Sequence, residues 1–424
     1  MEYNTGMENT ITYNTILIGG GASGLFLANL LLQKGVNPNE ILLLERGERV
    51  GRKLSATGNG QGNITNLSVT EGGYFSSQTR EMDRIQTLIK KYDDTSMKTF
   101  FASLGVPLLP DDRGRVYPAS RQASALTDAL RFGAEKVKTK FRAQATKIEK
   151  QGGMYQITVQ TEEGIERLQA KSVVLCTGGK AAKNFGTDGS AYALATAFGH
   201  TVTKLYPSLV QLKTDTAHTK TLKGIRVNDG GLTARYQDGE ISLQGDIIFT
   251  DYGVSGDAVF RISAYIADKI ADGVTLSIDF LPQLSQEEVT GLLQCKKEAY
   301  PRLDTNESLF GIVNNQIGRA IFRRAAGDIN KAARLVKAFP LEVKGSLDFD
   351  YAQVTKGGIP LNEVDECLQS KYADGLYFAG EILDVDGACG GYNLQWAYSS
   401  ACAVADGIYL KEGGRYAINY SFGY

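Results

Sequence analysis

The first strong pattern in the chain is an apolar run, Ile16-Leu17-Ile18, followed by Gly19-Gly20-Gly21-Ala22-Ser23-Gly24. From Leu25 to Leu32 apolar residues then recur at helical spacing. A short unbroken apolar run suits a strand buried on both faces, and a 3.6-residue period suits a helix. Lys34-Gly35 is expected to close that helix, with Gly35 in the left-handed position beyond its end. Ile41-Leu42-Leu43-Leu44 predicts a second buried strand, ending at Glu45. Residues 1–14 read as a polar, loosely ordered leader in which Met7 is an alternative start.

Further along, residues 80–105 predict one helix, with Ile85, Leu88, Ile89, Met97, Phe100 and Phe101 as its apolar positions. From 141 to 175, alternating segments flank Gly152-Gly153 and Glu162-Glu163-Gly164 and predict hairpins. Val173-Val174-Leu175-Cys176-Thr177-Gly178-Gly179 reads as a buried strand running into a glycine turn, and Leu376-Tyr377-Phe378-Ala379-Gly380-Glu381 repeats the design. Residues 201–280 alternate short apolar runs with turns at Gly230-Gly231, Asp238-Gly239 and Asp272-Gly273, which predicts a small sheet or barrel. From Ser285 to about 338 the pattern is helical, with Glu287-Glu288 early in the first helix. The chain then returns through Phe349, Tyr351 and Val354.

Composition narrows the function classes. Glycine supplies 48 of 424 residues, above the usual share of about 7%, while only 9 prolines argue against a disordered linker chain. Many positions therefore need positive φ or close backbone approach. Two histidines, His200 and His218, offer neither a His-rich metal site nor a Ser-His-Asp triad, and no metal site is expected. The five cysteines, Cys176, Cys295, Cys367, Cys389 and Cys402, are odd in number and lack a CxxC, which predicts mostly buried thiols in a cytosolic chain. A net charge of −1 gives no electrostatic case for nucleic acid. The apolar stretch from Ile16 to Leu32 holds four glycines, Ser23 and Asn29, and its leader carries Glu2 and Glu8 with no Lys or Arg. That is not a secretory signal or a membrane segment, and a soluble cytoplasmic protein is expected.

Gly19, Gly21 and Gly24 spell GxGxxG between a strand and a helix, with a second strand and Glu45 following. This is the dinucleotide-binding fingerprint in its full context. Gly19 permits the tight turn, Gly21 lets backbone approach a pyrophosphate, and Gly24 lets the helix pack on the strand. The free N–H groups and the positive helix end attract phosphates, and Glu45 is placed to accept from adenosine ribose hydroxyls. FAD and NAD share the fingerprint. Arg46, Arg49, Arg52 and Lys53, then Gly58-Asn59-Gly60-Gln61-Gly62-Asn63, suit a longer ligand whose distal half also needs cradling. Strand-to-glycine turns spread over the chain point to one ligand threaded across a sheet's carboxyl edge.

Beyond these motifs the chain resembles the BaiN-like (YhiN-like) FAD-dependent oxidoreductases. The resemblance rests on GRKLSATGNGQGNITN at 51–66, GRVYPASRQASALTDAL at 114–130 and VVLCTGG at 173–179. It continues through GTDGSAYALATAFGH at 186–200, PSLVQL at 207–212, GDIIFTDYGVSGDAVFRIS at 245–263 and GLYFAGEILDVDGACGGYNLQWAYSSA at 375–401. It implies an α/β protein: a Rossmann-like FAD-binding domain built from both chain ends, an inserted β-rich, barrel-like domain and a small helical subdomain. The expected division is 1–200 for the first part of the FAD domain, 201–283 for the β-rich insert, 284–342 for the helices and 343–424 for the return. The chain departs from the family at Gln61 and Gly62, where the family has Arg and Cys, and at Asp251 and Asp257, where it has His and Pro.

The cofactor contacts expected from fingerprint and resemblance together are Gly19, Gly20, Gly21, Ala22, Ser23, Gly24, Glu45, Arg46, Arg52, Lys53, Gly58, Asn59, Asn63, Thr177, Gly178, Gly380, Glu381, Gly391, Tyr392, Asn393 and Leu394. The helix starting after Gly390-Gly391 is expected to aim its N-terminal N–H groups at the flavin's pyrimidine edge. Of Glu381 and Asp386, Glu381 is the better partner for the ribityl or pyrophosphate region because it follows Gly380 directly. Trp396 is assigned to core packing.

Family activities are ene reductions, of ring double bonds in 3-oxo bile acids or of a uridine in ribosomal RNA. The resemblance implies an ene-reductase acting by hydride transfer from flavin N5 to a small enone, with a 3-oxo-Δ4/Δ6 bile acid or similar steroid as first substrate. The alternative is a ribosomal RNA dihydrouridine synthase, and a third reading is a non-catalytic flavin sensor. Reduction of an enone needs a group to polarise the carbonyl and deliver a proton. Tyr392, Tyr117 and Tyr252 are the candidates, and Arg115 and Arg121 are expected to hold an anionic substrate tail. Cys389 reads as a packed thiol before a proton donor, and His200 as a helix-end cap. No second GxGxxG marks a nicotinamide domain, so NAD(P)H as reductant has to visit the flavin pocket itself.

Overall fold

The computed structural model describes residues 11–304, 307–411 and 413. The chain divides into two compact units, residues 1–205 with 354–424, and residues 206–353. In the first unit, β1 (Ile11–Ile18) leads through the glycine turn into α1 (Ala22–Gln33) and on to β2 (Ile41–Leu44). Of the leader expected over 1–14, residues 11–14 belong to β1 and 1–10 lie outside the described residues. The polar start of β1 is drawn into the sheet by a neighbour far along the chain, with Ile11 opposite Leu168. Gly35 takes φ +82 past α1, as its position predicted.

Next come β3 (Thr65–Asn66), α2 (Met82–Lys91) and α3 (Asp94–Ser103). The single helix expected over 80–105 is thus two. Tyr92 leaves helical geometry, and the Asp93 side chain caps α3 by accepting the Ser96 N–H at 2.9 Å. A capping aspartate restarts the helix in a new direction, which one apolar period does not reveal. Then follow β4 (Arg115–Pro118), α4 (Ala123–Gly133), β5 (Lys138–Lys140), β6 (Gln144–Gln151), β7 (Met154–Thr161), β8 (Gly164–Leu175) and α5 (Tyr192–Thr196). β6, β7 and β8 form the expected hairpins.

The second unit holds β9 (Leu212–Thr214), β10 (Arg226–Tyr236), β11 (Gly239–Phe249), β12 (Gly253–Ser255), α6 (Asp257–Ile266), β13 (Thr275–Asp279), α7 (Gln286–Ala299), α8 (Asn315–Ala325), α9 (Ile329–Lys337) and β14 (Phe339–Ser346). Its strands close a barrel in the order β9-β12-β11-β10-β13-β14. Gly230-Gly231, expected as a turn, instead lies within β10, where the register against β11 shifts between Val227 and Gly230. Glycine inside a strand permits such a bulge. Ser285 and Glu288 form a reciprocal capping box at the start of α7. The helices share one apolar core with the barrel: Val289, Leu293, Ile321, Phe322 and Val336 pack with Leu276, Ile278 and Phe339. Residue 343, the expected boundary, falls inside β14, the strand that closes the barrel.

The chain re-enters the first unit to form β15 (Leu376–Phe378) and α10 (Tyr392–Lys411). The main sheet runs β5-β2-β1-β8-β7-β6, with β15 also paired to β8. β5, β2, β1, β8 and β15 are mutually parallel. Their carboxyl ends therefore share one edge, where ligands of such sheets bind. α1 is buried on every side from Ser23 to Leu31. Phe26 makes edge contacts with Phe100, Phe101 and Tyr398, so α1, α3 and α10 share one core. Of the five thiols only Cys176 and Cys402 are buried, with their pKa values pushed up to about 12 by burial. Cys295 is exposed, and Cys367 and Cys389 are half-buried.

Candidate cofactor and substrate site

At the carboxyl end of β1, Gly19 takes φ +109, and a Cβ there would lie 2.5 Å from the Cys176 carbonyl oxygen. The turn and the close approach to β8 both require glycine. Gly24 packs its bare Cα against the Gly19 carbonyl, where a Cβ would come within 2.0 Å. A Cβ on Gly21 would meet nothing within 4 Å. The N-cap, Gly21, offers no side-chain cap and the first turn of α1 carries no acid. The leading N–H groups at Ala22, Ser23 and Gly24 therefore lack a side-chain cap, with a positive helix end behind them, which fits a pyrophosphate.

Glu45 is held beside this turn. Its Oε2 accepts the Gly20 N–H at 2.9 Å and its Oε1 accepts the Gly47 N–H at 2.6 Å. A carboxylate fixed by two backbone donors keeps lone pairs for ribose hydroxyls. A cleft of about 860 Å³ follows β2, lined by Arg46, Gly47, Arg49, Arg52, Arg142 and Gln160 among others.

On the other side, Gly380 sits against α1, since a Cβ there would fall 2.8 Å from the Ser23 Oγ. Its N–H donates to Ser400 Oγ at 2.9 Å and its carbonyl accepts the Trp396 indole N–H at 3.1 Å. Trp396 is thus both the core residue expected and a brace for the glycine turn. Thr177, at the end of β8, has a buried hydroxyl with no partner. Gly178 beside it has φ +71. An orphan hydroxyl at the edge of the fingerprint turn matches a site shaped for a polar ligand.

Of the basic residues expected to cradle a long ligand, Arg46, Arg52 and Lys53 are engaged by the chain itself. Arg46 binds Asp188 at 3.1 Å and donates to the Gly186 carbonyl, and Arg52 donates to the Asn184 carbonyl at 2.8 Å. Burial works against ionisation of Asp188, but hydrogen bonds from Ser190 and the Arg46 guanidinium hold its pKa at about 2. Lys53 pairs with Glu381 Oε2 at 2.8 Å, and Glu381 Oε1 accepts the Thr355 N–H at 2.8 Å. These cations tie the 184–190 and 380–381 segments to the loop after β2. Gly58 and Asn59 both adopt left-handed backbone. Asn63 is buried and donates to the Thr65 and Val116 carbonyls, each at 3.0 Å, which ties the glycine loop to β3 and β4.

The start of α10 is pressed onto β3. Gly391 has φ +101, and a Cβ there would lie 2.3 Å from the Thr65 carbonyl oxygen. Asn393 accepts the Gly387 N–H at 2.8 Å and donates to the Gly387 carbonyl at 2.7 Å, while Leu394 packs on the core. Gln395 accepts from Thr65 Oγ1 at 2.5 Å and donates to the Tyr92 carbonyl at 2.6 Å. Tyr392 packs edge-on against Tyr74, and the Tyr74 hydroxyl donates to the Tyr392 carbonyl at 3.3 Å. Tyr117, nearly buried on β4, carries the Arg121 guanidinium over its ring, and Arg115 packs beside Gly390. Burial raises the Tyr117 pKa. The first unit thus brings Tyr117, Arg115 and Arg121 to the loop that starts α10. Tyr252 lies in the second unit, in the turn between β11 and β12, with its pKa raised by burial.

Sequence reasoning missed several buried groups. Asp384 is fully buried and accepts the Ser77 N–H at 3.2 Å and the Ser76 hydroxyl at 3.3 Å, and burial raises its pKa. Asp386, weighed beside Glu381 from the sequence, is also buried, in a strand pair with Phe75. Tyr192 has a buried hydroxyl without a partner. His200, expected as a helix-end cap, instead lies between Glu363 and Ser370, at 2.9 and 2.7 Å. Partners 163 and 170 positions away leave no local trace. No helix among the described residues is long and apolar enough to cross a membrane.

Known proteins match this architecture from end to end. The model of the HI0933-like protein Rossmann domain matches residues 13–407. The 3-dehydro-bile acid delta(4,6)-reductase of Clostridium scindens is 33% identical over 91% of this chain and 96% of its own length. The ribosomal RNA dihydrouridine synthase of Haemophilus influenzae is 27% identical over 92% of this chain and 97% of its own. In fold, the chain resembles the 3-ketosteroid delta1-dehydrogenase of Sterolibacterium denitrificans, with a TM-score of 0.53 and 13% identity over 95% of this chain and all of that one. The glycine turn, the acid after β2 and the return strand at the same sheet edge are therefore those of an FAD-binding Rossmann fold, and the chain belongs to the HI0933-like (BaiN/YhiN) family of flavin-dependent oxidoreductases.

Proposed function

We propose that the protein is an FAD-dependent ene-reductase that reduces a C=C bond conjugated to a carbonyl, with ring double bonds (Δ4/Δ6) of a 3-oxo bile acid or similar steroid as substrate and NAD(P)H as reductant. The observation that carries this reading is the 33% identity, over nearly the whole of both chains, to the bile acid reductase. The bound flavin would supply the hydride chemistry. The chain's own part is to hold the cofactor, orient the enone and supply one proton.

Residues 19–24 hold the pyrophosphate on the helix end, and Glu45 takes the adenosine ribose hydroxyls. Thr177, Gly178, Gly380 and Glu381 line the middle of the cofactor, with Lys53 fixing Glu381. The open first turn of α10, from Gly391 to Leu394, offers N–H donors to an electron-rich ring edge. Tyr392 stands at that turn and is assigned as proton donor. Tyr117 is committed to the Arg121 guanidinium.

The test is anaerobic. The purified protein, photoreduced, is mixed with a 3-oxo-Δ4 or Δ4,6 steroid, and the flavin absorbance should return as the steroid is saturated. No reoxidation with any of a panel of enones would remove the reading.

A second reading follows from the dihydrouridine synthase relatives, which this chain matches over almost their full length. Here a uridine of ribosomal RNA is the substrate. Dihydrouridine mapping in ribosomal RNA of a deletion strain decides it, since an unchanged base excludes the role.

A further inference from the structure

Arg121 holds a guanidinium that pairs with no carboxylate among the described residues. Its central carbon lies 4.1 Å from the centre of the Tyr117 ring, and that of Arg115 lies 5.9 Å from the same ring. Asp111 answers Arg115 through contacts of 2.9 Å to Nε and 2.7 Å to Nη2. Among the described residues, Arg121 has no carboxylate within ion-pair distance. Its backbone is left-handed at φ +53, in a turn closed by its N–H to the Pro118 carbonyl at 2.8 Å. A non-glycine residue held in that region stores strain, and here the conformation sets an exposed cation over a buried ring.

Two cations at one ring, with the single Asp111 carboxylate bound to Arg115, leave a net positive charge. Stacking occupies the faces of a guanidinium and leaves its N–H edge directed outward, the geometry that binds a carboxylate in a fork. The place adjoins the cofactor side of the fold, because Arg115 packs on Gly390, which precedes the first turn of α10. Arg142, in the cleft after β2, is bound by both oxygens of Glu162 and by Glu48.

We propose that Arg121, stacked on Tyr117 and backed by Arg115, is the subsite for the carboxylate tail of the enone substrate. The inference rests on the ene-reductase reading and deepens it: the preferred substrate carries an anion remote from the double bond.

A matched pair tests it, a 3-oxo-Δ4 steroid acid and its methyl ester, with turnover and direct calorimetric binding measured on the FAD-loaded protein. The wild type should favour the acid. Arg121→Gln should lower the acid-to-ester ratio of kcat/KM about tenfold, chiefly through the KM of the acid. Tyr117→Ala should lower it likewise by removing the platform. Arg113→Gln, a nearby exposed cation outside the cluster, should leave the ratio alone. If both steroids are reduced and Arg121→Gln changes them equally or not at all, the subsite is overturned and the reductase reading stands. If neither is reduced but the acid binds more tightly than the ester and Arg121→Gln removes the difference, the subsite stands and the reductase reading falls. If neither is reduced or bound, both fall. Should Arg121→Gln change only dihydrouridine in ribosomal RNA, the cation serves a nucleic-acid phosphate and the carboxylate assignment is overturned.

Discussion

Lys53 Nζ lies 2.8 Å from Glu381 Oε2 and joins two residues 328 positions apart. One follows the first half of the cofactor fingerprint and the other follows the return strand, so the pair clamps both chain ends at one sheet edge. Both side chains are largely shielded from solvent, at 28% and 19% exposure. A partly buried pair leaves a costly unpaired charge when one partner is removed. Lys53→Met and Glu381→Gln should each weaken FAD binding about tenfold, roughly 1.4 kcal/mol. The double variant should lose little more than either one. A double-mutant cycle on FAD dissociation constants checks this, and simple additivity would show that the pair is not a clamp.

Gly19 and Gly21 should separate stability from cofactor binding. A methyl group on Gly19 meets the Cys176 carbonyl and a positive φ, so Gly19→Ala should destabilise the apoprotein by about 2–4 kcal/mol. Gly21 has ordinary extended backbone and an open side-chain direction. Gly21→Val should therefore keep apoprotein stability within about 0.5 kcal/mol while lowering FAD affinity at least tenfold. Urea denaturation and flavin titration read the two effects.

His200 should make stability fall in mild acid. Ser370 Oγ accepts the N–H groups of Tyr372 and Ala373, both at 3.0 Å, so its own proton goes to His200 Nε2. The ring is then neutral, with its Nδ1–H donated to Glu363. Burial lowers the His200 pKa against the pull of Glu363. The unfolded chain takes up its proton near pH 6.5, while the folded chain does so only at lower pH. Between those values the unfolded state holds more protons, so this contribution is complete above about pH 6.5 and declines below it. The slope is at most about 1.4 kcal/mol per pH unit. Denaturation of wild type and His200→Gln at pH 7.5 and 5.5 should show their difference shrinking in acid. A constant difference would sink the assignment.

Tyr392 should matter for the proton and not for the cofactor. Tyr392→Phe keeps the ring that packs on Tyr74 and should leave FAD affinity within twofold. It should lower kcat for enone reduction about 100-fold, the scale of a lost general acid, with loss of the solvent isotope effect on that step. An unchanged kcat would pass the role to another group, with Tyr252 next to test.

The residues that local physics governs were readable early. Gly19 through Gly24, the apolar run before them and Glu45 after them are set by turn geometry, phosphate chemistry and burial within one short stretch. The β6-β7-β8 hairpins and the capping acids of α7 also follow from neighbours in sequence. The helix break at Tyr92 left a usable signal, because Asp93 is a capping residue type. Gly230-Gly231 misled, since glycine marks a bulge as readily as a turn.

By itself, then, the sequence determined the dinucleotide fingerprint, the alternation of elements and the family, since each depends on side-chain type at fixed spacing. Only the tertiary structure decided how cations and buried acids were spent. Arg46, Arg52 and Lys53 look like free phosphate ligands until the fold delivers Asp188, Asn184 and Glu381 to them. His200 changes from a cap to a locked neutral base once Glu363 and Ser370 arrive. Among the described residues Arg121 has no carboxylate partner, because Asp111, ten positions before it, is bound by Arg115. Electrostatic roles depend on distance in space and on desolvation, and no spacing along the chain encodes either.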